Sequence, residues 1–215
     1  NNDPLKSLDI AHSPHRQLEQ VLSTEDHVLS ERILTSQTTP FIETINSIYI
    51  PVKSLASSTS GKILFANLYN KTLQIYNIHD PTAPILIASA ENIFGDLLLS
   101  PDDQMLFTYN MRSFTIFNVS NPTSPYLVNR TIISNQPPGD QFYSLAISHD
   151  GKALFLAGDG FYIYDVSDPK SPNLTYSLKA SETDFPAVCV LDEETVVLLA
   201  RDCLRVFRGD DLTSP

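Results

Sequence analysis

The chain has no tryptophan, only two cysteines, only seven glycines, and no apolar run approaching the roughly 18 residues that a membrane-spanning helix requires. Insertion into a membrane is therefore not expected. Positive charge is equally scarce: 14 Lys and Arg stand against 25 Asp and Glu, for a formal net charge of −11. A surface this acidic repels phosphate backbones and anionic headgroups, so nucleic acid is excluded as a partner. The sequence also lacks His-x-x-x-His, Glu-x-x-His, Cys-x-x-Cys, Gly-x-Ser-x-Gly and any glycine-rich phosphate loop. No metal ligand set, cofactor site or nucleophile elbow can be written from it, and no cofactor is expected.

Proline, by contrast, is abundant, at 15 residues, and it recurs in Ser-Pro, Asp-Pro and Asn-Pro pairs. Such punctuation suits short strands rather than long helices. The punctuation is periodic. Ile78-His-Asp-Pro-Thr-Ala-Pro84, Val119-Ser-Asn-Pro-Thr-Ser-Pro125, Val166-Ser-Asp-Pro-Lys-Ser-Pro172 and the weaker Gly209-Asp-Asp-Leu-Thr-Ser-Pro215 end on prolines spaced 41, 47 and 43 residues apart. Eleven residues before each proline stand Leu73, Phe114, Phe161 and Leu204; nine before stand Ile75, Ile116, Ile163 and Val206; eight before stand Tyr76, Phe117, Tyr164 and Phe207. Alternating apolar positions ahead of a proline-bearing loop describe a half-buried strand that ends where proline removes a ladder donor.

A second strand precedes it in each unit, opened by a turn: Ser60-Gly-Lys, Pro101-Asp-Asp-Gln, His149-Asp-Gly-Lys and the looser Asp192-Glu-Glu-Thr. An apolar strand lies before that turn and another follows the proline, so each unit reads as a four-stranded meander of about 44 residues. A sheet of that size buries both faces only by stacking against neighbours, which is the logic of a β-propeller blade.

The strand followed by Val-Ser-Asn/Asp-Pro-x-x-Pro, with its Ser-x-Asp-Gly-Lys turn, resembles the LVIVD-repeat and related YVTN-type β-propellers over residues 48–215. The fourth unit departs from the pattern through Asp210-Asp211 and a first turn without glycine. The resemblance implies an all-β propeller and, since family members are mostly exported or surface-associated interaction modules, a binding role with no catalytic motif to carry over.

Units are expected at 48–90, 91–132, 140–179 and 184–215, together forming a repeat domain over 40–215. Residues 1–39 read as a separate helical or irregular extension, because Glu31 and Arg32 stand where the repeat needs an apolar pair. Spacing of Leu18, Val21, Leu22, Val28, Leu29 and Ile33 predicts a helix between about 14 and 34. Residues 41–45 read as an outermost strand that could complete the last unit. That would close a four-blade ring; a larger ring is the alternative. Cys189 and Cys203 fall on the first and third strands of one unit, about 9 to 10 Å apart, and are expected to be free core thiols.

Partner-binding residues are expected on the loops between second and third strands and between units: Tyr69, Asn70, Glu91, Tyr109, Arg112, Asp140, Asp159, Asp184 and Asp202. Tyrosine and arginine favour interface hot spots, and repeat scaffolds vary in their loops. The excess of acids there predicts a protein or glycan partner with a basic or neutral polar surface. Glycosylation sequons at Asn70, Asn129 and Asn173, with a fourth at Asn118 that reads better as a turn residue, point to a secreted or cell-surface chain. The alternative function is a metal-dependent hydrolase or lactonase-type propeller in which Asp140, Asp159, Asp184 and Asp202 hold a divalent cation at the central channel.

Overall fold

The computed structural model describes residues 47, 49–110, 112–133, 141–179, 185, 187–192, 195–200 and 203–208. The chain divides at residue 49 into two units, and the account below concerns the second, which starts at Ile50. The expected helix at 14–34 and the expected strand at 41–45 lie outside the described residues.

Among the described residues fifteen strands form four antiparallel meanders, and there is no helix. The first blade is β1 (Val52–Ser57), β2 (Ile63–Leu68), β3 (Thr72–Asn77) and β4 (Ile85–Glu91). The second is β5 (Leu97–Leu99), β6 (Met105–Asn110), β7 (Ser113–Asn118) and β8 (Tyr126–Ile132). The third is β9 (Phe142–Ile147), β10 (Ala153–Gly158), β11 (Gly160–Asp165) and β12 (Asn173–Lys179). The fourth has β13 (Ala187–Val190), β14 (Thr195–Leu199) and β15 (Leu204–Arg208). Strand order in each sheet follows the chain, as hairpin connections demand.

Both turns of the blade are built by short polar side chains. Between first and second strands, the Ser58, Ser100 and Ser148 hydroxyls accept the amides of Ile63, Met105 and Ala153. Gly61 and Gly151 take positive φ three residues after their serines, and Asp103 takes the same conformation at the third such turn. Asp103 tolerates it because the Thr59 amide and hydroxyl of the neighbouring blade donate to its carboxylate at 2.9 and 2.6 Å. Between third and fourth strands, each proline loop holds two successive Asx turns: Asn77 and Asp80, Asn118 and Asn121, Asp165 and Asp168 accept amides two residues on. This is why Asn or Asp precedes the Pro-x-x-Pro segment in every unit that has one.

Cross-strand pairing puts positions nine and eleven before the proline on one face, here the forward face, and position eight on the back face. Forward residues Phe65, Leu73 and Ile75 pack with back residues Leu106 and Phe117 of the second blade. Phe107, Phe114 and Ile116 meet Leu154, Leu156 and Tyr164 of the third. Phe155, Phe161 and Ile163 meet Val196, Leu198 and Phe207 of the fourth. The linkers add one apolar plug to each interface: Ile93, Ile133 and Phe185 are buried, and their amides donate to the Lys71, Arg112 and Gly158 carbonyls.

Two expectations need correction. Leu204 and Val206, the alternating apolar positions of a strand expected to be half-buried, are both exposed, because no sheet among the described residues lies on the forward face of the fourth blade. The closing of a ring by residues 41–45 lies outside the described residues. Cys189 and Cys203 are free but exposed, not core: Cys189 points to that same open face through its pairing with Val197, and Cys203 precedes β15 in a hairpin turn. The first strand of the second blade starts at Leu97, and the preceding Asp96 accepts the Tyr109 hydroxyl.

Candidate functional site

The loop face is best formed where the first and second blades join. The β2–β3 hairpin carries Tyr69 and Asn70, both exposed, and Lys71 at φ 68°. Three main-chain hydrogen bonds anchor it: the Tyr69 amide to the Pro51 carbonyl, the Lys71 amide to the Leu68 carbonyl, and the Ile93 amide to the Lys71 carbonyl. The Asn70 side chain also caps the Thr72 amide at 3.2 Å. Lys71 extends its ammonium over the Phe94 ring, 4.8 Å from the centroid, a cation–π contact that orients the charge.

Beneath this hairpin the linker is wedged tightly. Gly95 has φ +78°, and a Cβ there would lie 1.6 Å from the Tyr109 carbonyl oxygen, so only glycine fits. Buried Asn67 donates to the Gly95 carbonyl at 2.7 Å, while its Oδ1 has no hydrogen-bond partner among the described residues. Thr108 donates to the Phe94 carbonyl, and Tyr109 donates to Asp96 at 3.1 Å. Burial first, and the Asp96 carboxylate second, push the Tyr109 phenol above its ordinary value. Tyr109 is thus a buried structural donor rather than a contact residue.

The remaining expected residues separate. Glu91 is exposed at the end of β4 opposite Thr72, and Arg112 is exposed on the β6–β7 hairpin, where its amide donates to Asn110. Asp159 accepts the Gln141 amide at 2.7 Å and the Tyr143 hydroxyl at 3.0 Å, which commits its carboxylate to holding the third blade's entry. Asp140, Asp184 and Asp202 lie outside the described residues. Among the described residues no three His, Cys, Asp or Glu side chains gather as a metal ligand set. Of the sequons, Asn70 and Asn173 are exposed; Asn129 instead donates its amide nitrogen to the Lys170 carbonyl of the third blade at 2.7 Å. Asn118 is the turn residue its position suggested.

Sequence reasoning misses Phe94 and Asp96 as partners of Lys71 and Tyr109. The available signal is Gly95, a glycine outside any strand turn in a chain with so few.

Comparison with known proteins matches what the geometry describes. The LVIVD repeat matches residues 109–131 and 145–179, within the second and third blades. The β-propeller domain of Cps50 (Swd1) from Myceliophteria thermophila superposes with a TM-score of 0.61 at 15% identity, covering 74% of this chain and 53% of that one. A protein from Lactobacillus plantarum gives 0.61 at 17% identity, covering 74% and 51%. At such identity these likenesses concern the fold alone, and this chain spans about half the length of either structure. No curated protein sequence matches it.

Proposed function

We propose that this chain is a non-catalytic β-propeller interaction module that holds a protein or glycan on its loop face, around Tyr69, Lys71 and Arg112. The observation that carries the reading is the β2–β3 hairpin. A large aromatic, 68% exposed, stands on a hairpin anchored by three main-chain hydrogen bonds and flanked by a lysine steered by Phe94. Exposed aromatic area on a rigid support loses little entropy on binding, which is what a contact hot spot requires. Arg112 is exposed on the β6–β7 hairpin of the second blade.

The net charge of −11 favours a partner with a basic or neutral polar surface, and long-range attraction acts mainly on the encounter rate. Exposed sequons at Asn70 and Asn173 support an exported or cell-surface setting. The test is retention from an extracellular extract on immobilised wild-type chain and on Tyr69→Ala. The expected result is a bound protein or glycoconjugate that the variant loses and that associates more slowly as salt is raised. Identical sets of bound material on both surfaces overturn the reading.

A further inference from the structure

The hydrogen bonds of the four Asn-x-Ser/Thr sequons set one of them apart. Glycan transfer needs two groups of a sequon unspent: the asparagine carboxamide nitrogen, which takes the sugar, and the hydroxyl two residues on, by which the sequon is recognised. At Asn129, within β8, both are spent, since the nitrogen donates to the Lys170 carbonyl at 2.7 Å and the Thr131 hydroxyl donates to Asn129 Oδ1 at 3.0 Å. Asn118 is half-buried at the end of β7; Val119 after it is 2% exposed, and the Ser120 hydroxyl donates to Asn118 Oδ1 at 2.7 Å. Asn173 is exposed on β12, but the Thr175 hydroxyl donates to the Ile163 carbonyl at 3.2 Å.

Asn70 keeps both groups. It is exposed, and with Tyr69 it forms the centre of the turn that the Lys71 amide closes on the Leu68 carbonyl. Its Oδ1 accepts the Thr72 amide at 3.2 Å, which holds the carboxamide by its oxygen; among the described residues the nitrogen and the Thr72 hydroxyl have no partner. We propose that Asn70 is the N-glycan acceptor of this chain and that the glycan, by covering Tyr69, regulates contact on the loop face. The regulatory half rests on the reading of Tyr69 as a contact residue. Transfer forms a bond from Asn70 Nδ2 to C1 of the first sugar and breaks the C1–O bond of a lipid-pyrophosphate-linked oligosaccharide. The lipid pyrophosphate leaves, and the nitrogen gives up one proton.

The test secretes the whole chain from a glycosylating host and maps each sequon by mass. Asn70 should be occupied, Asn118 and Asn129 empty, and Asn173 occupied less than Asn70. Thr72→Ala, which leaves the Asn70 cap in place, should abolish the modification at Asn70. An empty Asn70 on the secreted, folded chain, or equal occupancy at Asn129, overturns the site. Covering is read by acetylating exposed phenols of the native chain with N-acetylimidazole. Tyr126, 59% exposed on β8, is the internal standard for Tyr69 at 68%. The Tyr69 to Tyr126 ratio should fall by about threefold or more when Asn70 carries the glycan. It should recover after amidase removal, which leaves an aspartate in place of Asn70 that can still accept the Thr72 amide. An equal ratio with and without the glycan overturns the covering. Neither readout uses a partner, so failure here is distinct from failure of the Tyr69→Ala retention test.

Discussion

The third and fourth blades are built to one pattern yet live in different environments. Every residue of β10 is buried, because the second blade covers one side of its sheet and the fourth covers the other. In β14, the equivalent strand, burial alternates: Val196 and Leu198 are buried against the third blade, while Leu199 on the opposite side is exposed. Valine and leucine are equally apolar on both faces of β14. Burial in a repeat protein is thus a property of the neighbour as much as of the strand, and stability is assembled interface by interface.

That contrast can be broken at several points. The largest effect is expected at a covered junction: Gly95→Ala should cost about 4 kcal/mol or more in urea unfolding, since its Cβ would sit inside the Tyr109 carbonyl at positive φ. A cost below about 1 kcal/mol would mean the linker shifts freely. Next, Ile163→Ala should lose about 2 to 5 kcal/mol through the cavity left in the third interface. Val206→Ala, at the equivalent position, should stay within about 0.5 kcal/mol. Equal losses would erase the distinction between the two faces.

Alkali should act on the covered interface between the second and third blades, which holds Tyr109 and Tyr164. Burial first, and neighbouring Tyr162 second, push the Tyr164 phenol up to about 12, and Tyr109 is likewise raised. Both stay neutral in the folded chain at a pH where the unfolded chain ionises, so stability is intact below about pH 10 and declines as pH climbs from there toward 12. Tyr164→Phe should flatten that decline in pH-dependent melting; an unaltered slope would place the titration elsewhere. A modest effect belongs to the rim. Asp103→Ala should cost about 1 kcal/mol by removing the Thr59 clasp while keeping the left-handed backbone, and Asp103→Gly should cost less because glycine relieves the strain.

Much of this fold was legible in the sequence because its signals are local. Alternation at Leu73 and Ile75, the serine turns and the Asn/Asp-Pro loops each specify a strand or a turn within a few residues. What decides the exposure of Leu204 and Val206 is not local, since it depends on a sheet that their own strand does not encode. The candidate site was legible only in part for the same reason. Tyr69, Asn70 and Arg112 lie on hairpins whose tips the repeat predicts. Tyr109 and Asp159 sit at equally predictable places, but long-range bonds to Asp96 and to Gln141 and Tyr143 take them into structural service.

The absence of tryptophan allows a direct measurement of the difference between the two faces. Single variants Phe161→Trp and Leu204→Trp place one fluorophore at equivalent positions, eleven residues before the loop proline, on the covered and the open face. The account predicts that the indole introduced on the covered face emits to the blue and resists quenching by acrylamide until the chain unfolds, whereas the indole on the open face emits to the red and is quenched in the native state. Equal emission and equal quenching in the native protein would contradict it.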